Sequence, residues 1–218
     1  MTRRTTKLPI ILAALAALIA LAAILFLSAR QRTTVTGPLP EDAAQRLVRP
    51  DSPVLGAEDA PVTVVEFFDP ECEACRAVEP DVMALLDKYD GKVRLVARYF
   101  PLHANSVAAA GLIEAAAQEE EWKRWRAREY LFTKQPEWGE QQTSQADLFL
   151  RYAEDLGLDV EHARKVMDSA EVRDRVERDR QDGVALGVSG TPTFFVNGEP
   201  LKELSMPALE AAIEQALP

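Results

Sequence analysis

The chain has 218 residues, 47% of them hydrophobic, which is room for one globular domain with a sizeable core plus extra segments. Its formal net charge of −10 is uneven: residues 1–32 hold five basic side chains (Arg3, Arg4, Lys7, Arg30, Arg32) and no acid, leaving 20 basic against 35 acidic elsewhere. An acidic body lacks the basic footprint of nucleic-acid binding, and a total of two cysteines excludes a disulfide-dense scaffold or a four-cysteine metal centre.

Leu8 to Leu27 is an uncharged apolar run of 20 residues, long enough as a helix for a hydrocarbon core ~30 Å thick. Arg3, Arg4, Lys7 and the terminal amine outweigh Arg30 and Arg32, which places the amino terminus in the cytoplasm and the body across the membrane. The run exceeds the about 7–15 apolar residues of a cleaved signal, so residues 1–30 read as a cytoplasmic tip and transmembrane signal anchor. Cleavage after Ala29 is the alternative. Both put the body where disulfides persist. Residues 31–55, with Pro38, Pro40, Pro50 and Pro53, read as a linker with a short helix at Glu41–Leu47.

The folded domain is expected over 56–218. Val62–Phe68 is β-branched and aromatic, the composition of a strand covered on both faces. A helix follows from Cys72 to Lys88, bent at Pro80, then a turn at Asp90-Gly91 and a second strand at Val93–Phe100. Five helical segments come next: Asn105–Gln118, Glu121–Phe132, Ser144–Leu156, Val160–Ser169 and Glu171–Leu186, with Ser144 and Asp159 as N-caps. Glu171–Asp182 alternates charge like a solvated helical face. Strands return at Thr193–Val196 and Pro200–Lys202 around an Asn197-Gly198 turn, and Ser205 caps a last helix, Pro207–Leu217.

Cys72 and Cys75 form one Cys-Glu-Ala-Cys motif between strand and helix. A lone pair so placed reads as a disulfide that is made and broken in turnover. The helix amino end favours thiolate at Cys72, while Cys75, one turn inside, stays protonated. Cys72 therefore exchanges with substrate sulfur and Cys75 resolves the mixed disulfide. Glu73 and Ala74 tune the pair. Carboxylates at Glu73, Asp69, Glu71 and Glu79 oppose the thiolate, so only a moderate pKa depression is expected. Glu66 is the single charge in its strand. It reads either as an acid/base relaying the Cys75 proton or as an ion pair with Arg98 on the neighbouring strand, and the two are compatible. Thr191-Pro192 opens the strand after them, suited to a strand start or a cis turn, with the Thr191 backbone available to an extended substrate. An ordinary turn into an edge strand fits the same residues.

Together, Ala60-Pro61-Val62 through Glu66-Phe67-Phe68, the Cys-X-X-Cys, Tyr99-Phe100-Pro101-Leu102-His103, the helical stretch and Gly187–Gly198 resemble the DsbA-like thiol–disulfide oxidoreductases of the thioredoxin superfamily. The resemblance spans about 53–218. It implies an α/β thioredoxin fold (βαβ–ββα) with a helical domain inserted at about 103–186, a cis-proline loop facing the cysteines, and a strand glutamate at Glu66. It implies catalytic Cys72, Cys75 and Glu66, substrate contact at Thr191 and Pro192, no organic cofactor and no resident metal. The expected partners are exported proteins bearing thiols or disulfides and a recycling redox protein; the membrane is engaged through residues 8–27. The expected location is a bacterial cytoplasmic membrane, single-pass, with the catalytic domain in the periplasm or extracytoplasmic space. The best-known oxidant of the family carries Cys-Pro-His-Cys and a different residue at the Thr191 position, so the direction of electron flow is not carried across. An oxidase is expected first, a reductase or isomerase second. Rival readings are a Cu(I) or Zn(II) carrier using Cys72, Cys75, His103 and His162, and a non-enzymatic module presenting Trp122, Trp125, Tyr130, Phe132 and Trp138; for these aromatics, packing between helices is the expected role.

Overall fold

The computed structural model describes residue 35 and residues 37–218. The apolar run at 8–27 lies outside them, and none of the described helices is long and apolar enough to cross a membrane. In chain order the elements are α1 (Ala43–Leu47), β1 (Val54–Leu55), β2 (Val62–Phe68), α2 (Glu73–Lys88), β3 (Val93–Tyr99), α3 (Ser106–Glu119), α4 (Glu121–Trp138), α5 (Ala146–Asp155), α6 (Val160–Met167), α7 (Ala170–Ala185), β4 (Thr193–Val196), β5 (Glu199–Pro200) and α8 (Met206–Ala216).

Among the described residues the strands form one sheet in the order β1-β3-β2-β4-β5. β2 and β3 are parallel, and the other pairs are antiparallel. The parallel pair needs a crossover, which α2 supplies. The β4–β5 hairpin needs two residues with positive φ, which Asn197 (47°) and Gly198 (92°) provide. The stretch read as a linker contributes α1 and β1: Leu47 is 2% exposed, and β1 pairs with β3 through Val54↔Val96.

Period-2 alternation sends each strand's residues to opposite faces. Val62 and Val64 of β2, Leu95 of β3 and Phe194 and Val196 of β4 pack on Val82 of α2 and Leu209 and Ile213 of α8. Val65, Phe67, Val96 and Phe195 pack the other way, on Leu47, Phe100, Leu186 and Val188. The helices α3–α7 form a separate core around Leu112, Ile113, Leu131, Trp138 and Phe149, into which Phe68, Tyr99 and both cysteines project. The cysteines therefore lie where the sheet's carboxyl edge meets the inserted helices. Of the insertion's aromatics, Trp138 and Phe132 are buried and Trp122 is 53% exposed.

Two features of α7 depart from a solvated face. Asp179 and Asp182 are buried, held by the fully buried Arg98 at 2.8 and 2.7 Å. Arg46 and Arg49 from the α1 segment also bind Asp182, at 3.2 and 2.5 Å. A buried carboxylate persists only when so paired, and these pairs tie the amino-terminal stretch, β3 and α7 together.

Candidate active site

β2 ends at Phe68, and the chain turns through Asp69-Pro70-Glu71 into α2. Cys72 is the N-cap of α2, with extended backbone (φ −74°, ψ 122°) and 9% exposure, while Cys75 is fully buried in the first turn. Both are thiols in this structure. The Cys72 thiol is lowered to about 6, first by the hydrogen bond from Cys75, against the cost of burial, and then by the Thr191 side chain and the Cys75 and Ala74 amides. Those amides are unpaired donors of a helix amino terminus, directed at an anion. Cys75 moves the opposite way: burial raises it well above the ordinary thiol, and Cys72 and Glu66 add to the rise.

Thr191 and Pro192 are joined by a cis peptide bond. The Cys72 Sγ lies 3.4 Å from the Thr191 carbonyl oxygen and donates to it. Thr191 Oγ1 is buried and makes no hydrogen bond among the described residues, which leaves its proton for the sulfur when Cys72 is ionised. Thr191 and Cys72 are thus brought together. Glu73 is exposed in the first turn of α2, and Ala74 beside it is also exposed.

Glu66 is completely buried, but its partner is not Arg98. In the β2–β3 register Glu66 stands opposite Ala97, and Arg98 stands opposite Phe67. Neighbouring positions of a strand face opposite sides, so Arg98 points to the α7 side and Glu66 to the α2 side. The expected ion pair is replaced by one with Arg128 of α4, at 2.6 Å. Arg128 also binds Glu79 of α2 at 2.5 Å and stacks over the Phe68 ring. One buried guanidinium serves two buried carboxylates, and Glu66 Oε1 has no hydrogen-bond partner among the described residues. Burial raises the Glu66 pKa, Arg128 opposes the rise, and the nearby Glu79 charge adds to it.

The other acids near Cys72 are individually occupied. Asp69 is buried and accepts from the Glu71 amide (2.8 Å), the Leu102 amide (2.7 Å) and His103 Nδ1 (2.6 Å). Glu71 accepts from the Asn105 amide (2.7 Å) and the Glu140 amide (3.0 Å). Gln135 Nε2 of α4 donates to the carbonyls of Pro70 (2.8 Å) and Cys72 (3.1 Å), fixing the cysteine turn from the insertion side. Sequence reasoning missed Arg128 and Gln135. Both sit in a helix of ordinary charged composition 49 to 65 residues from their partners, and no local pattern marks them. His162 is the remaining histidine; its amide donates to the N-cap Asp159 at 3.0 Å. No group of three or more His, Cys, Asp or Glu side chains among the described residues is arranged to hold a metal ion.

Chemically, the arrangement is an ionisable, partly accessible sulfur beside a second, sealed one, with a buried carboxyl system beneath. Comparison with known proteins agrees with the fold. A thioredoxin-like oxidoreductase from Silicibacter pomeroyi DSS-3 is similar at 30% identity and TM-score 0.67, over 81% of this chain and 97% of that one. Oxidised BdbD from Bacillus subtilis is similar at 27% identity and TM-score 0.70, over 84% and 98%. By sequence, the Na(+)/H(+) antiporter NhaA of Herminiimonas arsenicoxydans is 36% identical over 149 residues, 68% of this chain and 23% of that protein. The chain spans about a quarter of the length of the curated relatives it matches. The family profile described as thioredoxin matches residues 49–215. Strand order, crossover helix and inserted helices are those of a thioredoxin-like fold, and the chain belongs to the thioredoxin family.

Proposed function

We propose that this protein is an extracytoplasmic thiol–disulfide oxidoreductase that exchanges disulfides with exported proteins through Cys72 and Cys75 and works chiefly in disulfide formation. One observation carries the reading: two adjacent sulfurs of opposite character, Cys72 lowered to about 6 and 9% exposed, Cys75 raised and fully buried. A low-pKa sulfur is both a good leaving group and a stabilised thiolate, which makes the disulfide more oxidising than an unperturbed one. The similar Silicibacter protein is an oxidoreductase. The DsbA-like assignment, the roles of Glu66, Thr191 and Pro192, the tuning by Glu73 and Ala74, and the membrane anchor belong to this proposal.

In the oxidative direction a substrate thiolate attacks Cys72 of the disulfide, and the Cys75 sulfur leaves. Cys75 takes up a proton through Glu66, which regains one from water. The second substrate thiol, deprotonated, attacks its own sulfur in the mixed disulfide and expels Cys72 as thiolate. Two substrate thiols become one disulfide, two electrons stay on the cysteine pair, one proton stays on Cys75 and one leaves to water. Extended substrate backbone lies along Thr191 and Pro192. A separate redox protein then reoxidises the pair.

The test is equilibration with glutathione buffers, read by thiol trapping. A Cys72 pKa near 6 lies between those of the strongest oxidants and thioredoxin, so the potential is expected between about −120 and about −270 mV. Cys75→Ser should accumulate mixed disulfides through Cys72, and Cys72→Ser should form none. A potential at or below about −270 mV identifies a reductase instead. A pair that never forms a disulfide removes the proposal.

A further inference from the structure

The residues between the cysteines, Glu73 and Ala74, offer no positive charge to a thiolate. The opposite side of the site does. Asp69 is bonded to both parties: its backbone carbonyl accepts the Cys72 amide at 3.0 Å, and its carboxylate holds His103 Nδ1 at 2.6 Å. The carboxylate also takes the Leu102 amide, so the loop after β3 is clamped to the loop that carries Cys72. With Nδ1 donating to Asp69, the His103 ring has a fixed orientation; Nε2 makes no hydrogen bond among the described residues, and the side chain is 41% exposed.

We propose that His103, held by Asp69, supplies the positive charge that favours the Cys72 thiolate and so speeds attack and departure at this sulfur. This rests on the thiol–disulfide reading and names a residue pair for it. Asp69 is a positioning residue, and His103 acts through the field at Cys72. The charged groups acting on the imidazole are Asp69 and Glu71 from the loop after β2 and the Cys72 thiolate at the head of α2. Burial works against the cation, but Asp69, Cys72 and Glu71 together outweigh it, and the His103 pKa lies above the ordinary value. Since Cys72 ionises at about 6, His103 is cationic while the thiolate forms. Both Glu71 oxygens accept amides, from Asn105 and Glu140, which partly offset its charge without removing it.

Coupling between two sites is reciprocal, which gives two independent readouts on the full chain. The first is the rate of Cys72 alkylation against pH in Cys75→Ser protein. Adding His103→Gln should raise the Cys72 midpoint by about half to one pKa unit and lower the rate at about pH 6, where the thiol is half ionised, by roughly 2- to 5-fold. At about pH 9, where the thiolate is fully formed in either protein, the rates should converge. His103→Lys keeps a cation and should restore most of the low-pH rate. The second is the imidazole titration of His103 by NMR, easily assigned because the chain has two histidines. Its midpoint should fall when the cysteine pair is oxidised and the thiolate is gone. A rate profile unmoved by His103→Gln overturns the inference, as does an equal loss at both pH values or in the Lys variant, which marks a merely structural loop. An imidazole midpoint indifferent to oxidation overturns it too. These failures differ from failure of the redox reading, in which wild-type protein forms no Cys72–Cys75 disulfide at all.

Discussion

At the scale of single residues, the Thr191 hydroxyl is a buried donor with no acceptor among the described residues except an ionised Cys72. A hydrogen bond to a charged group contributes ~1.5–3 kcal/mol when fully made, and here it is shared with the Cys75 thiol and two amides. Thr191→Val keeps the shape and removes the donor. The Cys72 pKa should then rise by about one unit, or ~1.4 kcal/mol, and the disulfide should become less oxidising by ~30 mV. Thiolate absorbance against pH and a glutathione titration measure the two changes, and they should agree through the linkage. The cysteine motif, the strand glutamate and the Thr-Pro turn were legible because each is a local oddity: a charge in an apolar strand, a proline opening a core strand, two cysteines one turn apart. Their partners were not. Glu66 is 62 residues from Arg128, and only the one-residue offset of the β2–β3 register decides that Arg98 faces away from it.

At the scale of elements, the helix and strand positions followed from period and caps: Thr193–Val196 matches the expected strand, and Asp159 and Ser205 accept from His162 and Ala208 amides as N-caps. Ser144 caps no helix; α5 begins two residues later, although the Ser144 hydroxyl accepts the Ala146 amide at 3.3 Å. β1 was missed because two residues after Pro53 carry no period. The larger surprise is α7. Its alternating charges look solvated, yet Asp179, Asp182 and Gly183 pack against the sheet. A Cβ at Gly183 would stand 2.7 Å from Phe100 Cδ2 and 3.1 Å from Phe67 Cδ1, both rings being buried. Gly→Ala in a helix gains ~1 kcal/mol of propensity, whereas overpacking a filled core costs ~1–3 kcal/mol. Neither ring has room to withdraw, since Phe67 packs edge-on against both Phe100 and Phe195. Gly183→Ala should therefore destabilise by about 1–2 kcal/mol net in urea unfolding. It should leave the Cys72 ionisation unchanged, because α7 covers the face of β2 opposite to Glu66.

At the scale of the whole molecule, the two cysteines make global stability depend on pH in a way that only the reduced form shows. Cys72 has a folded pKa of about 6 against ~8.5 for an unfolded thiol. Between these values the unfolded chain binds the extra proton, so the stability of the reduced protein rises with pH and is lost as pH falls through 6. Cys75 has the reverse sign, its folded pKa lying above the unfolded one because of burial. Above ~8.5 the unfolded chain releases a proton that folded Cys75 keeps, and stability falls again. The reduced protein should be most stable near pH 8.5, above its value at about pH 6 by roughly 2 kcal/mol once the partial exposure of Cys72 is discounted. His103 and Glu66 titrate in both redox forms, so subtracting the oxidised curve removes most of their share. What remains reads the cysteine pair alone. Urea melts of both forms from about pH 5 to about pH 10 measure it. A difference curve with no maximum would mean that the two sulfurs do not differ in the folded state, and the directional exchange argued from their asymmetry would lose its basis.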